Sequence, residues 1–273
     1  MVRSSELQGR YRMKLENQIC EIVSNEQLAF NMYEVVLSGP QISVTAKPGQ
    51  FVHLNIPGNS TRLLRRPFSI HLVDPAKGLF HLVYQVVGDS TTRLSRLSPG
   101  ETIDCLGPLG NGFSMNDEKR VFLVGGGCGI APLLFIPAYW PDREYYSFLG
   151  FRNMKSAFKT EEFASLSKSL NLVSDDGSIG DKGLVTDILE KYLRTSVPEI
   201  VFACGPTPML KAVSKLASYH GVPCQISLEE RMGCGIGGCL VCACAVKSGS
   251  GFDYKRVCAD GPVFDSREVM FDD

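Results

Sequence analysis

The chain has 273 residues, 44% of them hydrophobic and 21% charged, and a formal net charge of −1. That length and mixture describe an ordinary globular protein of two domains, or two plus an appendage. The near-zero charge excludes the electrostatic footprint of a nucleic-acid binder or of a protein held on an anionic membrane surface.

The opening, MVRSSELQGRYRMKLENQ, has no apolar core. No secretory signal is therefore expected, and a reducing, cytoplasmic compartment follows. Residues 1–15 read as a flexible tail. From 16 to 115 the texture is short strands broken by Gly and Pro. QFVHLNI places Val52, Leu54 and Ile56 on one face and Phe51, His53 and Asn55 on the other. FHLVYQVV alternates less cleanly and ETIDCLGPLG closes the region with Gly and Pro; short period-two runs with such punctuation argue an antiparallel barrel or sandwich. Within LLRRPFSI, Pro67 cannot donate to a strand ladder, so this stretch is an edge or faces a ligand. Arg66 beside it has the fork to clamp a diphosphate and Ser69 has a hydroxyl for a ring edge, although an Arg-Pro pair at a strand start is also common without either role.

From 116 to 225 the texture changes. RVFLVGGG, REYYSFLGF, LNLVSDDG and PEIVFACGP read as buried strands separated by helical segments. The clearest helix is TPMLKAVSKLASYHG, with Met209, Val213, Leu216 and Tyr219 as one stripe and Gly221 as the stop. Strand–helix alternation means a doubly wound parallel sheet. Val121 to Pro141 is uncharged, but four glycines in five positions and prolines at 132, 137 and 141 would break a spanning helix, so no membrane span is expected. In VFLVGGGCGIAPLL a strand enters a turn at Gly125, Gly126 and Gly127 and then a helix with Pro132 in its first turn, which suits an anionic ligand. The third position of a strict G-x-G-x-x-G falls on Ile130 or Pro132, so the standard fingerprint is absent. Pro137 and Pro141 imply a shortened or kinked helix. ACGPTPML is a second strand-to-helix turn, placing Cys204, Gly205 and Pro206 where α/β sheets bind ligands; alone, Cys204 reads equally as a buried thiol.

Residues 226–273 are too short and glycine-rich for a core of their own. Five of the ten cysteines lie singly between Cys20 and Cys224, as small core residues do, and five crowd between Cys234 and Cys258. Cys234, Cys239 and Cys242 make C-x4-C-x2-C, and Cys258 follows after fifteen residues. This is the plant-type [2Fe–2S] spacing. The interleaved Gly233, Gly235, Gly237 and Gly238 suit a loop whose N–H groups turn inward. A structural zinc site is the rival, though zinc clips usually pair two short hairpins and here one side is a lone Cys258. Cys244, inside the apolar LVCACAV, reads as a bystander.

In this order LLRRPFSI, LGPLGNGF, LVGGGCGIAPL, CGPTPMLKA, EERMGCGIGGC and VCADGPVF resemble the ferredoxin–NADP reductase superfamily and, within it, the electron-transfer subunits of NAD-dependent dihydroorotate dehydrogenase, over residues 17 to 265. The resemblance implies a multi-domain β plus α/β fold: a flavin-binding antiparallel barrel (16–115), a nicotinamide-binding doubly wound domain (116–225) and a small C-terminal [2Fe–2S] domain (226–273). It implies one FAD and one [2Fe–2S] cluster per subunit, NAD as acceptor, and a catalytic dihydroorotate dehydrogenase subunit as partner in a heterotetramer of two plus two. The family's flavin motif falls on Arg66, Pro67, Phe68 and Ser69; its second flavin segment falls on Val83, Tyr84 and Gln85, and its Gly-Thr pair on Ser90 and Thr91. Gln85 replaces an arginine and Ser90 a glycine, which leaves the phosphate contacts to Arg66, Thr92 or Arg93. Cys128 in the glycine loop is also unusual. Cys204 would stand near the nicotinamide, and no base for dihydroorotate is expected. Two rivals use other partners or other chemistry: a reductase subunit of a ferredoxin, hydrogenase or transhydrogenase complex, and a zinc-stapled nucleotide-binding module without redox work.

Overall fold

The structure is a computed structural model that describes residues 17–57 and 64–271; the expected tail at 1–15 and Leu63 lie outside the described residues. Six antiparallel strands, β1 (Asn17–Ala29), β2 (Met32–Ser38), β3 (Phe51–Asn55), β4 (Arg66–Asp74), β5 (Leu79–Gln85) and β6 (Thr102–Leu109), close into a barrel in the order β1-β2-β5-β4-β3-β6. Closure is made by β1 against β6, with Asn17 opposite Leu106, and it removes the unpaired edges that so many short strands would otherwise expose. The short helices α1 (Pro40–Thr45) and α2 (Asp89–Leu94) lie between its strands in the chain. Pro67 sits where the ladder can spare its missing N–H: it pairs with His53 on β3, while pairing with β5 begins only at Ile70.

The alternation expected on β3 holds on one face only. Val52 and Leu54 fill the barrel, but Phe51 and His53 on the opposite face are buried too, and Asn55 alone is exposed. The second face is not solvated because the cysteine-rich segment lies across it: a Cβ added to Gly235 would come within 2.5 Å of the His53 ring.

The second sheet contains β7 (Arg120–Gly126), β8 (Glu144–Phe151), β9 (Ser169–Ser174), β10 (Asp181–Lys182), β11 (Ile200–Cys204) and β12 (Cys224–Ser227). These six are parallel, in the order β10-β9-β8-β7-β11-β12. The helices α3 (Phe135–Tyr139), α4 (Thr160–Leu166), α5 (Val185–Thr195) and α6 (Thr207–Tyr219) connect them. Since β7 leads left to β8 and β9, and the chain then returns to β11 on its right, the order reverses between β7 and β11. A crevice opens at such a reversal, beyond the carboxyl ends of the two strands. After β7 the backbone makes a 3₁₀ turn over Gly127–Leu133 and only five residues of α3, so the prolines shorten the expected helix to little more than one turn.

Helix α6 corrects one expectation. Its buried stripe is Leu210, Val213, Ser214 and Ala217, a clean i, i+3, i+4, i+7 set. Met209 points instead toward the glycine turns, Leu216 is half-buried, and Tyr219 is 85% exposed beside His220.

The C-terminal segment adds a hairpin, β13 (Ala243–Ser248) with β14 (Gly251–Arg256), and a last strand, β15 (Val263–Asp265), that pairs antiparallel with β12. The seventh strand of the large sheet thus comes from the cysteine-rich region. As expected of a segment too small to fold on its own core, Cys242, Val257 and Cys258 share one with Phe51 and Leu109 of the barrel and with Ile226 and Phe264 of the sheet. Polar bonds close the same junction. The Asn111 side chain donates to the carbonyls of Ala259 (3.0 Å) and Asp260 (3.1 Å), and its N–H donates to Gly261 (2.6 Å). PLGNGF and CADGPVF, nearly 150 residues apart, are therefore one clasp. Among the described residues no helix is long and apolar enough to cross a membrane.

Candidate functional site

Two neighbouring cavities lie along the seam between barrel and sheet. The first, about 340 Å³, is walled by the barrel residues Pro67, Phe68, Ser69, Val83 and Tyr84 and closed from the other side by Ala131, Pro132 and Met232. Its barrel wall is rigid: the Phe68 and Tyr84 rings meet edge-on at 5.8 Å, and the Tyr84 hydroxyl donates to Asn25 at 2.9 Å. A mostly apolar, aromatic-lined slot with a few hydroxyls suits a ring system with polar edges. The second, about 420 Å³, opens at the carboxyl ends of β7, β8 and β11, with Gly126, Gly127, Gly129, Gly205 and Pro206 on one wall and Arg152 and Asp175 on another. Here the glycines serve close approach: a Cβ on Gly129 would lie 2.6 Å from the Cys204 carbonyl, so the β7 and β11 turns can touch only without side chains.

Gln85, Cys128 and Glu229 border both cavities. Burial pushes the Cys128 thiol up to about 12, the Glu229 charge adding to the effect and a hydrogen bond to the Gln85 backbone opposing it. Glu229 itself is open to the cavities on one side, yet the dense protein around its carboxylate raises its pKa. The shared wall therefore carries a neutral thiol and a carboxyl group that holds a proton more readily than usual, at the place where ligands of the two cavities would meet.

The other sequence-predicted residues divide. Cys204 is buried behind the turn and borders neither cavity; burial, then Glu229, raise its thiol well above the ordinary range against a hydrogen bond with Ser227, so no thiolate is available there. Gly125 is also behind the wall, packed on Ile130. Arg66 donates through Nε to the Ser90 hydroxyl at 3.3 Å, so the serine found in place of glycine holds the arginine that precedes the slot. The Thr91 hydroxyl is engaged in capping α2, accepting from the N–H groups of Val87 (3.0 Å) and Gly88 (3.1 Å). Arg93 pairs with Asp89 at 3.2 Å.

The cysteine loop lies over the barrel side of the first cavity. The Cys239 thiol is a neighbour of the Cys234 thiol, and the Cys242 thiol of the Cys258 thiol. Backbone N–H groups turn inward onto them: Gly238 donates to the Cys234 sulfur (3.2 Å), Gly237 to Cys258 (3.3 Å) and Cys258 to Cys242 (3.5 Å). Burial pushes the Cys234 thiol up, but the N–H groups of Ile236, Cys239 and Gly238 and the Cys239 thiol outweigh it and bring it to about 7. Burial and the Cys242 thiol hold Cys258 at about 12. Among the described residues no three His, Cys, Asp or Glu side chains gather at one ion position. Two thiol pairs with N–H donors aimed at sulfur fit two irons, each held by two thiolates. Cys244, on β13 opposite Lys255, makes no such contact.

Sequence reasoning missed three contributors. Glu229 and Met232 come from EERMGCGIGGC, in which the sequence points to roles only for the cysteines and glycines. Arg256 ties the loop down, donating to the Gly237 carbonyl at 2.9 Å while Asp260 accepts from its side chain at 3.1 Å. An arginine in a strand of mixed polarity carries no local signal of that role.

A family model described as the iron-sulfur cluster binding domain of dihydroorotate dehydrogenase B matches residues 229–270. One described as an oxidoreductase FAD-binding domain matches 19–113. The electron transfer subunit of dihydroorotate dehydrogenase B (NAD(+)) from Caldanaerobacter subterraneus subsp. tengcongensis is 41% identical over 262 residues, covering 96% of this chain and all of that one. Its counterpart from Geobacillus kaustophilus is 41% identical over 267 residues, covering 96% and 99%. Among solved structures, a chain of an NADH-dependent reduced ferredoxin–NADP oxidoreductase superposes with a TM-score of 0.83 at 35% identity, covering 93% of this chain and 90% of that one. A ferredoxin NADP+ reductase from Neisseria gonorrhoeae shares the fold, with a TM-score of 0.64 at 18% identity over 79% and 94% of the two chains.

Proposed function

The chain belongs to the family of dihydroorotate dehydrogenase B electron transfer subunits, and from that premise we propose that it carries electrons from a catalytic dihydroorotate dehydrogenase subunit to NAD+ in pyrimidine biosynthesis. The observation that carries this reading is the contiguity of its three sites: the cysteine loop rests on β3, β3 and β4 border the first cavity, and that cavity shares a wall with the second. When bound, a [2Fe–2S] cluster supplies single-electron transfer and FAD its conversion into the hydride that NAD+ accepts.

The residues divide the work. Cys234, Cys239, Cys242 and Cys258 hold the cluster. Pro67, Phe68, Ser69, Val83 and Tyr84 form the bed for the flavin ring, with Arg66, steadied by Ser90, toward its diphosphate. Gly126, Gly127, Gly205 and Pro206 admit the nicotinamide nucleotide, and Glu229 and Cys128 border the junction where the two ligands would meet. Oxidation of dihydroorotate is assigned to the catalytic partner that an electron transfer subunit implies. Ile236, Leu240 and Val241 leave an exposed apolar rim on the loop, which suits burial against the catalytic subunit in an assembly of two plus two. The cytoplasm, which keeps thiols reduced, suits ten cysteines that form no disulfide.

An anaerobic NADH titration followed by visible absorption tests the reading. Bleaching of flavin bands together with a broader iron–sulfur absorption is expected. A colourless, zinc-containing protein indifferent to NADH would instead be a binding module. A second reading, a reductase subunit of a ferredoxin-linked complex, draws on the 35% identical structure. Reduction of the chain by dihydroorotate in the presence of its catalytic partner, and not by reduced ferredoxin, separates the two.

A further inference from the structure

His53 is the polar residue whose surroundings explain it least. It is wholly buried in β3, and neither ring nitrogen has a hydrogen-bond partner. An unpaired buried donor is costly, and most buried polar groups are paired, so an orphan calls for a reason. Its position supplies one. On its own strand is Phe51, ring centroids 5.8 Å apart, and opposite it on β4 is Pro67; both border the first cavity. Against its other side lies Gly235, the residue after Cys234. A Cβ there would stand 2.5 Å from Nδ1 and 3.0 Å from Nε2, and Gly235 has φ of +70°, so only glycine lets the loop and the ring approach this closely. Burial, with the charges of Arg65 and Arg66, lowers the imidazole to about 4, which leaves a neutral ring with one N–H to give.

Resting on the proposed function, we infer that His53 is a positioning and tuning residue of the [2Fe–2S] site: its N–H finds its partner in a sulfur of the cluster-loaded Cys234 arm. The same side chain spans the gap between the cluster loop and the flavin slot. A hydrogen bond to sulfur stabilises the added negative charge of the reduced state and so raises the reduction potential.

The test uses the full chain as isolated, with its cofactors. Reduced protein carrying ¹⁵N-histidine is compared with unlabelled protein by pulsed EPR of the cluster. The chain has four histidines, and His71, His81 and His220 are placed on β4, on β5 and at the end of α6, away from the loop. A histidine-nitrogen coupling that changes with the label is expected, and its absence overturns the inference without any variant. His53→Phe then lowers the cluster potential, shifting its one-electron equilibrium about tenfold, or about 59 mV, while the flavin potential stays put. His53→Asn, which retains a donor, recovers part of that shift. A fully loaded His53→Phe protein with an unchanged potential also overturns it, since a purely packing role would leave the potential alone. If the wild-type chain carries no cluster at all, it is the proposed function that fails, and visible absorption reveals this before any label is used.

Discussion

The cavity seam and the cysteine loop are built on opposite principles. The seam is formed from strand ends: β7 and β11 are paired through Cys204 and Gly125, and their glycine turns follow directly from that pairing. The loop from Glu229 to Cys242 has no strand or helix, and its inward N–H groups are directed at thiol sulfurs. Its position depends on neighbours: the His53 ring beneath it, Arg256 at its tip and the Asn111 clasp behind it. A preformed crevice can release its ligand and remain itself. A loop whose donors point at a metal site depends on that site for its shape.

The sharpest way to break this comparison is Cys258→Ser. It removes one member of the Cys242–Cys258 pair, and the cluster is expected to be lost almost completely, to below about a tenth of wild-type iron. Flavin content and the thermal transition of barrel and sheet should change little, measured by absorption and circular dichroism. Loss of flavin with the iron would mean that the seam is not independent of the loop. Gly235→Ala follows in size. It places a methyl group on the His53 ring at a positive φ, at a cost of roughly 2–3 kcal/mol confined to the loop. Faster loss of iron to a chelator, with an unaltered unfolding midpoint of the flavin domain, is the expected result.

How much of this was legible follows the same division. The barrel strands, the parallel strands and the two glycine turns announce themselves locally, through period-two runs, apolar blocks and punctuation. The four cysteines proposed as cluster ligands stand out by their spacing alone. What the sequence hides is what distant segments do to one another. His53 reads as the outer face of a strand because nothing nearby says that residue 235 will cover it. The stripe on α6 was read from Met209, but the helix packs from Leu210, and Met209 lies beside glycines at 126 and 205 instead. β15 is three residues long, too short to show any period, yet it completes the large sheet. Glu229 opens EERMGCGIGGC, but nothing in that motif says that it will border two cavities that exist only after folding.

Acid should act on the seam. His71 is fully buried in β4 and its Nδ1 lies 2.6 Å from the Ala131 carbonyl, tying the barrel to the glycine turn. Burial lowers its pKa to about 4 from 6.5, against that hydrogen bond and the Glu34 charge. Above pH 6.5 the ring is neutral folded and unfolded, and stability is complete. Below it the unfolded chain binds a proton that the folded one refuses until about pH 4, so stability falls across that interval by up to about 3 kcal/mol. Glu34 adds a second loss lower down. Burial raises its pKa, but hydrogen bonds from His81 and Lys159 and the Lys159 charge bring it to about 2 from 4.5, so its contribution is present above 4.5 and disappears as pH falls toward 2. Urea unfolding at stepped pH should show both limbs. His71→Leu should flatten the upper one while costing roughly 1–3 kcal/mol at pH 7 for the lost bond to Ala131.

The smallest effect expected is also the most discriminating. Asn111→Ala removes two hydrogen bonds to the Ala259 and Asp260 carbonyls but leaves the backbone bond to Gly261. The side chain is exposed, so water can replace it at those carbonyls, and about 1 kcal/mol or less should be lost. If the clasp merely adds stability, the unfolding midpoint shifts slightly and nothing else moves. If it sets the height of Cys258 over the barrel, cluster retention under chelator falls by more than the midpoint predicts. Only the second result would mean that loop and seam, so different in construction, are held at a fixed separation by the residues that link the end of the barrel to the end of the chain.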